Sequence, residues 1–357
     1  MLENSSKTHH CVRVKHPYRI REIAAQSGLS EATVDRVLHR RGGVRTSTVR
    51  EVERAIADLD RQQTQLRIGG RTYMVDVVVQ APSRFCATVQ AALEAELPTL
   101  RPAVIRSRFH FCDTSEALVA VLAKLKTHGV ILKAPDVGEV GVAVARLYRQ
   151  GIPVVTLVTD LPTSARTAYV GLDNRAAGAT AAYLMQQWLP SDRAGEVLVV
   201  RGSVSFRGED EREMGFRAEM RARAASRRLW EVVDDESEAS SVHIGVEALL
   251  AAHPDIRAVY SMYAGAGGNA AVVAAFAAAN RTYDVFVAHD LDGENATLLR
   301  ERRLSAVLHH DLRQDLRRAC HTILQSQGAL PGPIQSHPSA VQVLTPCNLT
   351  PLMNTSP

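Results

Sequence analysis

Residues 73–80 read YMVDVVVQ, a run of apolar and β-branched residues closed by a polar one, and the same pattern returns as VIRSRFHF (104–111), GVILKAP (129–135) and IPVVTLV (152–158). It resumes further on as EVLVVRG (196–202), the weaker RLWEVV (228–233), IRAVYSM (256–262), DVFVAHD (284–290) and LSAVLHH (304–310). Several of these runs stay apolar instead of alternating, which fits strands buried on both faces, and helix-length amphipathic segments between most of them supply the cover. The alternation therefore predicts an α/β architecture of mostly parallel sheets. One sheet holding every run would be unusually wide, so two lobes are expected. The rhythm breaks at LPTSARTAYVGLDN, which places the passage between lobes near 160–174, with a C-terminal return near 310–345.

In open parallel sheets, ligands bind beyond the carboxyl ends of the strands. The residues just after the runs are polar at several ends: Asp160, Arg207 and Arg212, Tyr263, Asp290 and His310. Acids and arginines together suit a small polyhydroxylated ligand, because each hydroxyl both donates and accepts while a charged group fixes its orientation.

The front of the chain has a different grammar. Ile20, Ile23 and Ala24 share one helical face, Ser27-Gly28-Leu29 interrupts it, and Thr33, Val34, Val37 and Leu38 form a second. Gly28 suits the left-handed reversal that ends a helix, and the Ser30 hydroxyl suits the cap of the next. A third helix starts within Thr46–Thr48 and carries Val49, Val52, Ile56 and Leu59. Two helices joined by a tight turn and covered by a third form a helix-turn-helix, whose second helix can enter the DNA major groove. Glu31, Ala32 and Arg36 then face outward; Arg36 can give two donors to guanine, and Glu31 can accept from cytosine.

Charge divides in the same place. Residues 1–72 hold 14 Lys and Arg against 8 Asp and Glu, a net +6, while the rest holds 28 against 30, a net −2. A basic front suits a polyanionic partner. With 46% hydrophobic and 22% charged residues, disorder is excluded as the main state. No apolar stretch reaches the roughly 20 residues of a membrane span. The first twenty residues lack the apolar core of a secretory signal, so a cytoplasmic location is expected. The five cysteines include no CxxC pair and read as reduced. His9-His10-Cys11 and His309-His310 lack completing ligands at zinc spacing, the 265–269 glycine run lacks the Lys-Ser/Thr of a P-loop, and no nucleophile elbow appears. No metal, cofactor or enzymatic activity is expected.

The segment IREIAAQSGLSEATVDRVLHRRGGVRTSTVREVERAIADL (20–59) resembles the DNA-binding headpiece of the LacI/GalR family of bacterial repressors. The likeness rests on Ile20, Ile23-Ala24, Gly28-Leu29-Ser30, Thr33-Val34, Arg36-Val37-Leu38, Val44, Thr48, Val52, Ala55-Ile56 and Leu59. It implies base reading by Glu31, Ala32 and Arg36, and backbone contacts by Ser30, Thr33 and Thr48. His39 stands where the family usually has Asn, and Asp35 replaces a usual Ser, from where it can pair with Arg36 or Arg40. The family's linker folds to a helix on DNA and wedges a leucine into the minor groove. Here Asp60 to Gly70 departs from that pattern: Leu66 alone looks suited to the wedge, and Gly69-Gly70 disfavour a longer helix.

Residues 72–350 resemble the core shared by these repressors and the ribose-binding proteins. YVGLDNRAAGATAAYLM matches the lobe crossover, REMGFR (212–217) implies ligand contact for Arg212, and DVFVAHDLD implies an acceptor role for Asp290. LSAVLHHDL implies that His310 closes over a sugar, and Arg84 and Phe85 fall where an aromatic residue stacks on the ring. Tyr263 to Asn269 replaces the family's acid pair with a glycine-rich turn.

The sequence thus predicts a flexible tail (1–17), a headpiece (18–60), a linker (61–72), a two-lobed core (73–350) and a final tail (351–357). The expected protein is a ligand-responsive repressor of carbohydrate or polyol catabolism, binding double-stranded operator DNA as a homodimer or tetramer, with a sugar, polyol or related metabolite between its lobes and no membrane partner. The alternatives are a sugar-binding protein or a sugar- or nucleoside-processing enzyme on a similar core.

Overall fold

A computed structural model describes residues 17–68, 71–100, 103–189, 195–202, 206–224, 226–234 and 239–349. The tails through residue 16 and from 350, together with Gly69 and Gly70, lie outside them. The chain divides after Arg71 into two compact units.

The first unit is three helices: α1 (Ile20–Ser27), α2 (Glu31–Leu38) and α3 (Thr46–Ile68). Gly28 closes α1 with φ 71°, the left-handed conformation a side chain opposes. The Ser30 hydroxyl accepts from the Thr33 amide at 3.2 Å and opens α2. Ile23, Ala24, Val34, Val52 and Ala55 form the buried centre, and Tyr18 donates to Asp60 at 2.6 Å, tying the start of α1 to α3. The third helix runs well past Leu59. Between Leu59 and Gly69 nothing breaks a helix, and Gln, Arg and Leu extend one readily, so the segment expected as a linker is helical to Ile68.

The second unit begins with β1 (Thr72–Gln80), α4 (Ser83–Glu96), β2 (Val104–Cys112), α5 (Ser115–Leu122), β3 (Gly129–Lys133), α6 (Gly138–Arg149), β4 (Val154–Leu157) and β5 (Ala168–Leu172). It continues with α7 (Asn174–Trp188), β6 (Glu196–Gly202), α8 (Arg207–Ala224), β7 (Leu229–Asp234), α9 (Ala239–Ala252) and β8 (Ile256–Ser261). The last elements are α10 (Gly268–Ala278), β9 (Val285–His289), α11 (Gly293–Arg300), β10 (Ala306–His309), α12 (Leu312–Ser326), β11 (His337–Ser339) and β12 (Gln342–Leu344).

These strands build two six-stranded sheets, ordered β11-β5-β4-β3-β1-β2 and β12-β10-β9-β8-β6-β7. All described pairings are parallel except β10 with β12. The expectation of two α/β lobes of mostly parallel strands holds. The chain passes between lobes at Leu172–Asn174, at His310–Leu312 and between Ser339 and Gln342. Three strands were not foreseen: β5 lies inside the segment taken as a break, and β11 and β12 are three residues each, too short to show a pattern.

Each lobe fills both faces of its sheet. In the first, Val78, Val130 and Leu132 pack against Leu118 and Leu122 of α5 and Val140 and Leu147 of α6. Helix α12 returns from the second lobe to cover β3, β4 and β5, fastened where Arg313 and Arg317 donate to the buried Glu96 carboxylate at 2.8 and 2.7 Å. In the second, Ala181, Ala182 and Met185 of α7 and Phe216 of α8 pack on Tyr260 and Val287, and α9, α10 and α11 cover the opposite face. Among the described residues no helix is long and apolar enough to cross a membrane.

Candidate ligand-binding cleft

The strand orders fix where a ligand fits. In each sheet the first strand lies between the second and the third, so successive connections leave in opposite directions from one point. That divergence opens a crevice at the carboxyl edge. In the first lobe it falls between β1 and β3, at Gln80 and Lys133; in the second, between β6 and β8, at Gly202 and Met262. The two edges face each other across one cleft.

One part of the cleft is walled by Pro82, Phe85, Lys133, Phe206, Arg212 and Asp290. It runs on past Phe85, Tyr263 and Asp290 into a second part lined by Asn269, Asn295, His309 and His310. At its lips the Gly208 amide donates to the Thr159 hydroxyl at 3.0 Å, and Arg207 Nη1 lies 3.4 Å from Asp136 Oδ2.

Arg212 is seated from below. A methyl group at Gly178 would overlap the Arg212 carbonyl, and one at Gly215 would overlap the Arg175 carbonyl, so glycine at both positions lets α7 and α8 touch through their backbones. Arg212 is 4% exposed, and its guanidinium donates to Asn174 Oδ1 at 2.8 Å and to the Met262 carbonyl at 3.2 Å. Its Nη1 lies 3.7 Å from Asp290 Oδ2. Asn174, the first residue after the lobe passage, also donates to the Val158 carbonyl at 3.1 Å. Hydrogen bonds therefore run from the first lobe through Asn174 to the arginine of the second.

Val158 and Asp290, the residues directly after β4 and β9, have φ 67° and 61°. The left-handed conformation is costly for a β-branched valine. Two donors to the Val158 carbonyl, Asn174 and the Tyr169 hydroxyl, hold it there, and the Asn295 amide holds the Asp290 carbonyl at 2.7 Å. Burial would push the Asp290 carboxyl up, but Arg212 and then His310 outweigh it and keep the acid below its usual range. His310 Nε2 is 3.9 Å from Asp290, and its Nδ1 lies 2.6 Å from Asp315 Oδ2. Burial, then Arg212, depresses His289 well below its ordinary pKa, leaving a neutral ring. The same burial, aided by His310, lowers His309 to about 4.

The cleft gathers Phe85, Arg212, Tyr263, Asp290 and His310 of the residues expected there. The Arg84 side chain lies outside the described residues. Asp160 is a correction: Arg166 Nη2 holds its Oδ2 at 2.7 Å, while the Thr156 hydroxyl and the Leu161 amide occupy Oδ1. This acid pins a turn of the first lobe and does not line the cleft.

Lys133 and its neighbour Phe206, which shape the cleft, escaped the sequence reading. Lys133 ends the otherwise apolar β3 and is only 8% exposed. Its ammonium donates to the Gln80 carbonyl at 3.3 Å and lies 3.4 Å from the ring centre of Phe206 and 5.3 Å from that of Phe85. Burial lowers its pKa to about 8. The strand-end rule applies to Lys133 as well as to Asp290; a lysine closing an apolar run simply reads as the solvated end of a strand.

A family profile described as a periplasmic binding protein domain matches residues 75–325. The chain belongs to that periplasmic binding protein family. Its fold is shared with GanP, a glucose-galactose binding protein from Geobacillus stearothermophilus, at 20% identity and TM-score 0.67 over 78% of this chain and 99% of that one. A putative LacI transcriptional regulator from Bacteroides fragilis aligns at 16% identity and TM-score 0.68 over 78% of this chain and 98% of that one. A solute binding protein from Burkholderia graminis, solved with D-arabinose, aligns at 21% identity and TM-score 0.68 over 78% and 97%. No curated protein sequence matches the chain. This periplasmic-binding-protein core accounts for both lobes and for the position of the cleft.

In the N-terminal unit, Glu31, Ala32 and Arg36 are exposed on α2, while Thr33 and Thr48 are half-buried. Ser30 caps α2 and its hydroxyl lies 2.8 Å from that of Thr33. Asp35 pairs with neither Arg36 nor Arg40. Its carboxylate meets Arg41 Nη1 at 2.8 Å and His39 Nδ1 at 3.0 Å, because adjacent helical residues point apart and the left-handed Arg40 (φ 51°) folds Arg41 back. The Leu66 side chain lies outside the described residues.

Proposed function

We propose that the chain is a ligand-responsive DNA-binding transcriptional regulator of the LacI/GalR type, acting in the cytoplasm as a repressor of carbohydrate or polyol catabolism. The observation that carries this reading is the three-helix unit ahead of the core. Its Ser30-capped α2 exposes Glu31, Ala32 and Arg36 in a segment of net charge +6. In this reading α2 enters the major groove; Ser30, Thr33 and Thr48 contact the backbone, His39 belongs to the same DNA-binding surface, and Leu66 enters the minor groove. A single headpiece reads few base pairs, so two chains bind a pseudo-palindromic operator.

The cleft is the effector site, with Phe85, Arg212, Tyr263, Asp290 and His310 as contacts and Arg84 beside them. Only a ligand that favours one lobe angle over the other can shift DNA affinity. The cleft binds and releases its ligand unchanged. The test is selection of bound fragments from a random duplex library by the full-length protein. Recovery of a twofold-related motif, released or tightened by a sugar or polyol, is the expected result. Recovery of no motif, together with sugar binding and export from the cell, would instead establish an uptake protein, as the names of GanP and the arabinose-bound relative favour.

A further inference from the structure

Lysine is rarely buried without a partner, because removing its charge from water is costly. Lys133 sits at the divergence point of the first-lobe sheet, 8% exposed. Its surroundings return little of that cost: one backbone carbonyl at 3.3 Å and the faces of two phenyl rings. The acids of the cleft, Glu209 and Asp290, line the same pocket and act on this ammonium only through space. Asp290 is held by Arg212 and faces His310, and Glu209 acts on the ammonium through space, without a hydrogen bond to it.

The rings matter for direction. Phe206 and Phe85 hold the ammonium at the cleft wall, where it adds a positive charge to that of Arg212. A neutral sugar would meet this ammonium with a hydroxyl, whereas an anionic oxygen would give it a counter-ion in a water-poor site, where such pairs are strongest.

We propose that Lys133 makes the cleft selective for a polyhydroxylated ligand bearing one anionic group, a carboxylate or a phosphate, which docks on the Lys133 ammonium between Phe85 and Phe206. The inference rests on the reading of the cleft as a carbohydrate-type effector site. The hydroxylated body lies toward Arg212, Asp290 and His310, whose mixed donors and acceptors suit hydroxyls.

The experiment is calorimetric titration of the full-length protein with matched sets built on D-glucose, D-galactose and D-arabinose: the neutral aldose, its aldonate and its terminal phosphate. Lys133→Met and Lys133→Gln are titrated beside the wild type, and Lys133→Arg serves as the variant that keeps the charge. Melting curves establish that each variant is folded. The expected result is that an aldonate or phosphate binds at least about tenfold more tightly than its neutral parent, the difference of one ion-paired hydrogen bond. That preference shrinks below about threefold in whichever neutral variant folds and survives in Lys133→Arg. The aldonate and phosphate arms tell which anion is taken. If neutral aldoses bind as tightly as their anionic partners, or if the anionic preference persists without the lysine, this inference is wrong and the carbohydrate reading stands. If no member of any set binds, both fall.

Discussion

His310 Nδ1 and Asp315 Oδ2 are 2.6 Å apart, which joins a residue at the cleft edge to the helix that re-enters the first lobe. The Ser339 hydroxyl donates to the other oxygen of the same buried carboxylate. One acid thus fastens two of the three passages between the lobes, the segment after β10 and the segment after β11. Its partner His310 also faces Asp290. His310 therefore links the cleft to two of the passages between the lobes.

Replacing Asp315 with Asn keeps the shape and removes the charge shared by His310 and Ser339. Hydrogen bonds to a charged, buried group contribute about 1.5–3 kcal/mol each, so the urea midpoint of the core is expected to fall by a corresponding amount. An unchanged midpoint would show that this acid does not hold the passages.

At Asp290, replacement by Ala leaves Arg212 without its nearest acid and strips an acceptor from the cleft. The melting shift produced by ligand is expected to vanish while affinity for the selected duplex stays within about twofold, since the unit carrying α2 is a separate compact body. A full ligand response in this variant would remove Asp290 from the site.

Arg36→Ala separates reading from attraction. A bidentate contact to guanine contributes about 1–3 kcal/mol of discrimination, so affinity for the selected motif should drop by that amount while affinity for unrelated duplex, set by phosphate charge, falls far less. Equal losses on both, measured by gel shift at fixed salt, would contradict groove reading.

The buried Lys133 gives a stability signature with a definite sign. Its pKa is about 8 in the folded chain against an ordinary 10.5. Between these values the unfolded chain binds more protons, so this group's contribution rises with pH from about 8 to 10.5. Below that window its charge costs stability, and Lys133→Met is expected to raise stability at pH 7 by roughly 1–3 kcal/mol. The gap between wild type and variant should close as pH climbs through the window. The groups acting on the ammonium are Glu209, Cys86, Arg212 and Asp290, and the comparison holds all of them constant. Identical pH profiles would refute the burial argument. Affinity for an anionic ligand should weaken above about pH 8, as the ammonium loses its proton.

Gly178→Ala and Gly215→Ala each place a methyl group against the backbone of the facing helix. Forcing α7 and α8 apart should cost about 1–3 kcal/mol, and because Arg212 rides on α8, ligand affinity should fall along with stability. Ala at Met214, an exposed position of α8, supplies the control, where neither quantity should change.

Much of the fold was legible because a strand covered on both faces needs an unbroken apolar run. VVVQ, GVILK and VFVAH could hardly be anything else. The AYVGL segment was not legible: it follows a Pro-, Ser- and Thr-rich turn and reads as part of it, and only its pairing with β4 and β11 makes it a strand. Within the cleft, Arg212 and Asp290 were readable from their places near strand ends. Asp160 satisfied the same rule yet found its partner six residues onward in Arg166, a local pairing that strand-end position does not reveal. Lys133 hid for the opposite reason, since its burial comes from Phe85 and Phe206, far away in the chain.

The re-entry of α12 and β11 into the first lobe sets an order on synthesis. As the nascent polypeptide leaves the ribosome, its N-terminal half emerges lacking the helix that covers β3, β4 and β5 and the strand that borders β5. The lobe translated first therefore stays unfinished until nearly all of the second has been made, and the apolar underside of its sheet stays bare until residues 312–339 arrive. During that interval a chaperone has a surface to hold, and a ribosome stalled before residue 312 would release a fragment prone to aggregation.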